Sequence, residues 1–178
     1  MTTVRACIGL GSNIGDGVRN IRAAIEALDA MESIRVGAVS PLYRSPAWGV
    51  TAQPDFINAM VVIETRLAPM ALLNVLLATE RRFGRDRGVD AERWGPRTLD
   101  LDLLLHGDAV IDTPGLRVPH PYLHQRAFVL KPLVDVLPHA VIPGIGPARD
   151  ALAGVAADAI ALHVIDALPY APPRTTRD

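Results

Sequence analysis

The stretch Thr98-Leu99-Asp100-Leu101-Asp102-Leu103-Leu104-Leu105 constrains the fold more than any other part of the chain. Apolar and acidic residues alternate with period two, which fits a β-strand with one face in a core and does not fit a helix. In such a strand Leu99, Leu101 and Leu103 share the buried face. Asp100 and Asp102 then project together from the other face, about 6.6 Å apart along the backbone. Two like charges that close repel each other and favour a divalent cation, and oxygen ligands suit Mg²⁺. The alternative is a polar face that simply meets water. Arg97, three residues before Asp100, favours the metal, because a guanidinium beside paired acids suits phosphate and cation together.

The rest of the chain alternates between strand and helix periods. Residues 4–10 read as a first strand ending in Gly9-Leu10-Gly11-Ser12-Asn13, a turn signal. Asp16 can cap a helix with Ile21, Ala24, Ile25 and Leu28 on one face. A second strand is expected over 33–43, and a long loop over 44–55, which holds Pro46, Gly49 and Pro54. Phe56 to Thr65 is a third strand. Pro69 opens a second helix that reaches about Phe83, with Leu72, Leu73, Leu76 and Leu77 inward. Residues 84–97 form another long loop, and Leu99 to His106 a fourth strand. The order β-α-β-β-α-β is that of a ferredoxin-like α+β sandwich, an antiparallel sheet with helices packed on it. C-terminal additions follow: a Pro-rich stretch at 114–121, a short helix at 124–136, an Ala-rich helix near 147–161 and a flexible tail at 169–178. No linker divides the chain, so a single domain over 1–178 is expected.

Composition excludes several functions. A net charge of −1 gives no overall attraction to nucleic acid. No apolar run approaches the ~20 residues of a membrane span. The N-terminus lacks a signal-peptide pattern and Cys7, the only cysteine, excludes an internal disulfide, so the cytoplasm is expected. Charge is unevenly spread: of 17 arginines, six are Arg81, Arg82, Arg85, Arg87, Arg93 and Arg97, whereas Lys131 is the only lysine. Gly9 to Gly15 has its third glycine one place late for a dinucleotide fingerprint, and Leu130-Lys131-Pro132 is no P-loop. His120 and His124 lack a third ligand for zinc, and a phosphate contact suits His120 better. Trp94, between Arg93 and Gly95-Pro96-Arg97, is either a lid over a flat ligand or a loop anchor. Phe56, Asn58 and Phe128 are either two rings and an amide around a heterocycle or ordinary core residues.

These residues resemble the 6-hydroxymethyl-7,8-dihydropterin pyrophosphokinase family. Arg93-Trp94-Gly95-Pro96-Arg97-Thr98-Leu99-Asp100-Leu101-Asp102-Leu103 follows that family's signature throughout. Gly9 to Asn13, Tyr43 to Pro46, Gln53 to Ala59, and Val118 through Arg126 and Phe128 extend the likeness over roughly residues 4–140. The resemblance implies transfer of diphosphate from ATP to a reduced hydroxymethyl pterin, in tetrahydrofolate biosynthesis, with two Mg²⁺ ions on Asp100 and Asp102. It implies a pterin pocket of Gly11, Ser45, Pro46, Trp48, Phe56, Asn58, Trp94 and Phe128. The ATP side would be Glu80, Arg85, Arg87, Trp94, Arg97, His120 and Arg126, with Arg87 and Arg97 joining the two aspartates in catalysis. Loops 44–55 and 84–97 resemble the family's mobile lids. The implied partners are these small molecules alone, with no nucleic acid or membrane, and the implied state is a monomer. The chain departs from the pattern at Trp48, where a Leu can sit, at Phe56, which replaces a Tyr, and at Leu77, which replaces a polar residue near the nucleotide. Two other readings share the strand order. A polymerase-palm nucleotidyltransferase would want a basic footprint beyond 81–97, and a ligand sensor would have little use for Asp100 and Asp102 beside Arg97.

Overall fold

The computed structural model describes residues 2–49, 52–85, 95–156 and 163–166. Its frame is β1 (Val4–Ser12), α1 (Gly17–Asp29), β2 (Ile34–Val39), β3 (Leu42–Ser45), β4 (Phe56–Thr65), α2 (Pro69–Arg82) and β5 (Asp100–His106). The strand expected over 33–43 is therefore two strands, and the second takes residues 44–45 out of the expected loop. Pro41 explains the break, because proline has no N–H to give a sheet ladder. At the step the Ser40 hydroxyl donates to the Pro41 carbonyl at 2.8 Å and accepts the Met60 N–H at 2.9 Å. Both pieces still pair with β4.

Beyond β5 come the hairpin β6 (Ile111–Thr113) and β7 (Leu116–Val118), a 3₁₀ turn at Leu123–Gln125, and α3 (Ala127–Val136). A second hairpin, β8 (Val141–Ile142) and β9 (Gly146–Pro147), leads into α4 (Ala148–Gly154) and then β10 (His163–Asp166). The helix expected at 124–136 is thus interrupted by an extended Arg126, with φ −124° and ψ 107°. Of the Ala-rich helix expected near 147–161, α4 covers Ala148–Gly154, with Val155 as its C-cap, and residues 157–161 lie outside the described residues. The expected tail at 169–178 lies outside the described residues.

The main sheet runs β10-β3-β4-β1-β5, with β2 also on β4, and every pairing is antiparallel. Alternation along β1 sends Ala6, Ile8 and Leu10 to one face, where they pack with Leu101, Leu103, Ile21, Ile25, Leu28, Leu72 and Leu76. Each such leucine or isoleucine contributes on the order of 2 kcal/mol by leaving water. Leu73 and Leu77 are only half-buried, so the inward stripe of α2 is narrower than its four leucines suggest. Asp16 caps α1 as expected, accepting the Arg19 N–H at 3.0 Å. On the opposite face Met60, Val62 and Leu104 pack with Val129, Leu130 and Leu133 of α3, and α4 completes this second core. Among the described residues no helix is long and apolar enough to cross a membrane.

Candidate active site

β1 lies between β4 and β5, with Gly9 opposite both Asp102 and Met60, and Gly11 opposite both Asp100 and Asn58. Directly paired residues of an antiparallel ladder share a face. Asp100 and Asp102 therefore project together, away from the α1–α2 core, beside two residues with no side chain. A Cβ on Gly11 would stand 3.6 Å from the Phe56 ring, 3.7 Å from Asn58 Oδ1 and 3.8 Å from Asp100 Cβ. Its absence opens a cavity of about 190 Å³. Its lining carries the charged and imidazole groups of Arg85, Arg97, Asp100, Asp102, His120 and Arg126, and with them Gly11, Ser45, Pro46, Trp48, Phe56, Asn58 and Phe128. Every described residue expected on either side is here except Glu80. Arg87 and Trp94 lie outside the described residues.

Glu80 stands behind the wall, fully buried, where its carboxylate accepts the Leu101 N–H at 2.8 Å and pairs with Arg85. It anchors the guanidinium from the core side, and Arg85 reaches past it to Asp100. Arg97 Nη1 donates to the other Asp100 oxygen at 2.9 Å. Burial alone would raise the Asp100 carboxyl, yet Arg85 and Arg97 outweigh it and hold that group below the usual carboxylate range. Asp102 behaves oppositely: burial and then the charge of Asp100 push its carboxyl up to about 7, against the pull of Arg126. No described side chain donates a hydrogen bond to it. Two carboxylates on one face, the second with high proton affinity and open oxygens, fit a hard divalent cation in place of the proton.

His120 is pushed down to about 4, by burial first and by Arg126 second. Its Nδ1 accepts the Tyr122 N–H at 3.3 Å, which leaves Nε2 as the protonated nitrogen of a neutral ring. Elsewhere in the lining, Asn58 Nδ2 donates to Ser45 Oγ at 2.7 Å, so strand pairing of β3 and β4 fixes the amide between Phe56 and Ser45.

Sequence reasoning missed Asn13. Its Oδ1 accepts the Arg97 N–H at 2.8 Å, and its Nδ2 donates to Gln53 Oε1 and the Pro54 carbonyl, both at 3.0 Å. One side chain at the end of β1 thus ties the segment before β4 to the segment before β5. Its only sequence signal is Ser12-Asn13 directly after a strand, which reads as a turn. Tyr122 was also missed, and its ring packs on His120, Trp48 and the Arg126 guanidinium.

A second, larger groove of about 770 Å³ runs between α2, β5 and the β6–β7 hairpin, and shares Asp102 and His120 with the first cavity. Leu73, Leu77, Leu116 and Arg117 line it, so the half-buried leucines of α2 are its apolar wall.

The sequence from residue 7 to 138 matches the family model of 7,8-dihydro-6-hydroxymethylpterin-pyrophosphokinase. A Pseudomonas aeruginosa protein named 2-amino-4-hydroxy-6-hydroxymethyldihydropteridine pyrophosphokinase is 45% identical over 139 residues, covering 78% of this chain and 84% of its own. A Methylorubrum extorquens protein of the same name is 46% identical over 149 residues, covering 84% of this chain and 92% of its own. Among solved structures, a Plasmodium falciparum HPPK-DHPS chain with pterin and p-hydroxybenzoate superposes with a TM-score of 0.68 at 14% identity, over 88% of this chain. That likeness is one of fold, and this chain spans 42% of the length of the solved one. With nearly half the residues shared with those bacterial relatives, and the same strand frame in the solved fold, the chain belongs to the 7,8-dihydro-6-hydroxymethylpterin-pyrophosphokinase family.

Proposed function

We propose that the chain transfers the terminal diphosphate of ATP to the hydroxymethyl oxygen of 6-hydroxymethyl-7,8-dihydropterin, giving the pterin diphosphate and AMP. The observation that supports this most is one cavity that gathers paired acids and guanidinium groups together with aromatic rings and an amide. The pterin would lie between Phe56 and Phe128, its edge read by Asn58. The adenosine would lie in the adjoining groove, and the phosphates would cross from groove to cavity at Asp102 and His120.

Asp100 and Asp102 would hold the metal, two Mg²⁺ ions in this reading. Bound there, Mg²⁺ neutralises phosphate charge and makes the β-phosphorus more electrophilic. The chain's own residues align the hydroxymethyl oxygen with that phosphorus and surround the phosphates with positive charge. The bond from this oxygen to the β-phosphorus forms, the bond from the β-phosphorus to the α,β-bridging oxygen breaks, AMP leaves with that bridging oxygen, and the hydroxyl proton passes to water. Arg85 and Arg97, now paired with Asp100, are placed to exchange its carboxylate for phosphate oxygens. Neutral His120 offers Nε2–H as a further donor, and Arg87 and Trp94 would complete the nucleotide side. The whole chain would act as one domain and as a monomer. A cytoplasmic setting suits Cys7, whose thiol is buried in the second core.

Incubation with Mg·ATP and the hydroxymethyl dihydropterin tests the reaction. AMP should accumulate one for one with pterin diphosphate. ADP, free pyrophosphate, or no product would each reject it.

A further inference from the structure

Tyr122 does not line the cavity, yet its ring meets three residues that do. The ring centroids of Trp48 and His120 lie 5.9 Å and 6.1 Å away, and the guanidinium carbon of Arg126 lies 5.0 Å from the Tyr122 centroid. The same guanidinium is 4.3 Å from the Trp48 centroid and 5.8 Å from that of Phe128. Arg126 is buried, so aromatic faces replace much of the water its planar cation would otherwise have. Trp48 is no core residue: 41% of it is exposed, in the segment after β3.

We propose that Tyr122 is a positioning residue whose ring holds Arg126 against Trp48, and so links the nucleotide side of the cavity to the pterin side. The proposal rests on the reaction assigned above. Arg126 is drawn two ways, toward the rings on one side and toward Asp100 and Asp102 on the other. Phosphates arriving beside those aspartates compete with Trp48 for the same guanidinium. Trp48 then loses its cation and is free to move against a pterin. Linkage makes the effect reciprocal, so a pterin that takes up Trp48 changes nucleotide affinity by the same factor. Tyr122 is the fixed member, since its backbone N–H bonds His120 while its ring supports the other two.

The chain has two tryptophans, so a Trp94→Phe protein reports Trp48 alone. Its emission is followed while a non-hydrolysable ATP analogue and Mg²⁺ are added without pterin, with saturation verified by calorimetry. The emission should shift on saturation, and constant emission would overturn the proposal. In the otherwise native chain, Tyr122→Phe should keep both KM values within about twofold, because the ring and not the hydroxyl does the positioning. Tyr122→Leu should raise KM for ATP and for pterin by about 3- to 30-fold, the size of a lost cation–π contact. Equal kinetics for Leu and Tyr, equal loss in Phe and Leu, or a loss confined to one substrate would each overturn it. If the Leu protein proves unfolded by circular dichroism, the emission titration decides alone. Absence of AMP from the native chain would instead fault the assigned reaction, which the emission titration does not need.

Discussion

Asp102 shows how the site opposes the fold that carries it. Its carboxyl ionises near 7 in the folded chain against an ordinary value of 3.8, because burial and Asp100 both disfavour its charge. The folded state keeps a proton that the unfolded chain has released, so this contribution is present in acid and lost as pH rises through about 7. Asp102→Asn should therefore raise the melting temperature of the metal-free protein at pH 8 by roughly 2–5 °C. At pH 5, inside the window from 3.8 to about 7, calorimetry should find a smaller gain, and the gain should vanish only below about pH 3.8. His120 has the opposite sign: its folded value of about 4 lies under the ordinary 6.5, so its contribution is lost as pH falls through that window. The two slopes oppose each other in the native chain, and only single replacements separate them. Gly11→Ala tests the floor of the cavity. No neighbour comes nearer than 3.6 Å to the added Cβ, so the fold should hold while the pterin KM rises several-fold in steady-state assays.

At the scale of elements, what was legible in the sequence was what is local. The Leu–Asp alternation fixed the faces of β5, and the helical spacing of Ile21 and Leu28 fixed the face of α1. Pro41 was a local signal too, but the alternation of Ile34, Val36 and Ala38 leading up to it hid the step between β2 and β3. Contacts between distant segments were not legible. Nothing near Asn13 announces a bond to Arg97, 84 residues on, and nothing in the spacing of α2 says that Glu80 will cap the Leu101 N–H. The attachment of α3 to β3 is another such contact. The Tyr43 hydroxyl donates to Asp135 Oδ2, which Lys131 also pairs with through Oδ1. Phe128, two turns before Asp135 on α3, and Ser45, two residues after Tyr43, line the same cavity. Tyr43→Phe should cost about 1 kcal/mol of unfolding free energy, measured by urea denaturation.

The whole molecule is a sheet with a core on each face and the site where the second core ends. The antiparallel sheet followed from the β-α-β-β-α-β frame, whereas β10 joining the edge at β3 did not, since edge pairing leaves no periodic signature in four residues. The site depends on both cores: α2 and β5 supply Glu80, Asp100 and Asp102 from one, and α3 brings Arg126 and Phe128 from the other. At the centre of this arrangement are two carboxylates on one face of β5, held to serve a metal and a triphosphate. The rate of AMP formation by Asp100→Ala and by Asp102→Ala, each at saturating Mg·ATP and pterin, tests that directly. Each should fall by at least about 10²–10³ while the circular dichroism of the fold is kept. A folded variant within threefold of the native rate would contradict it.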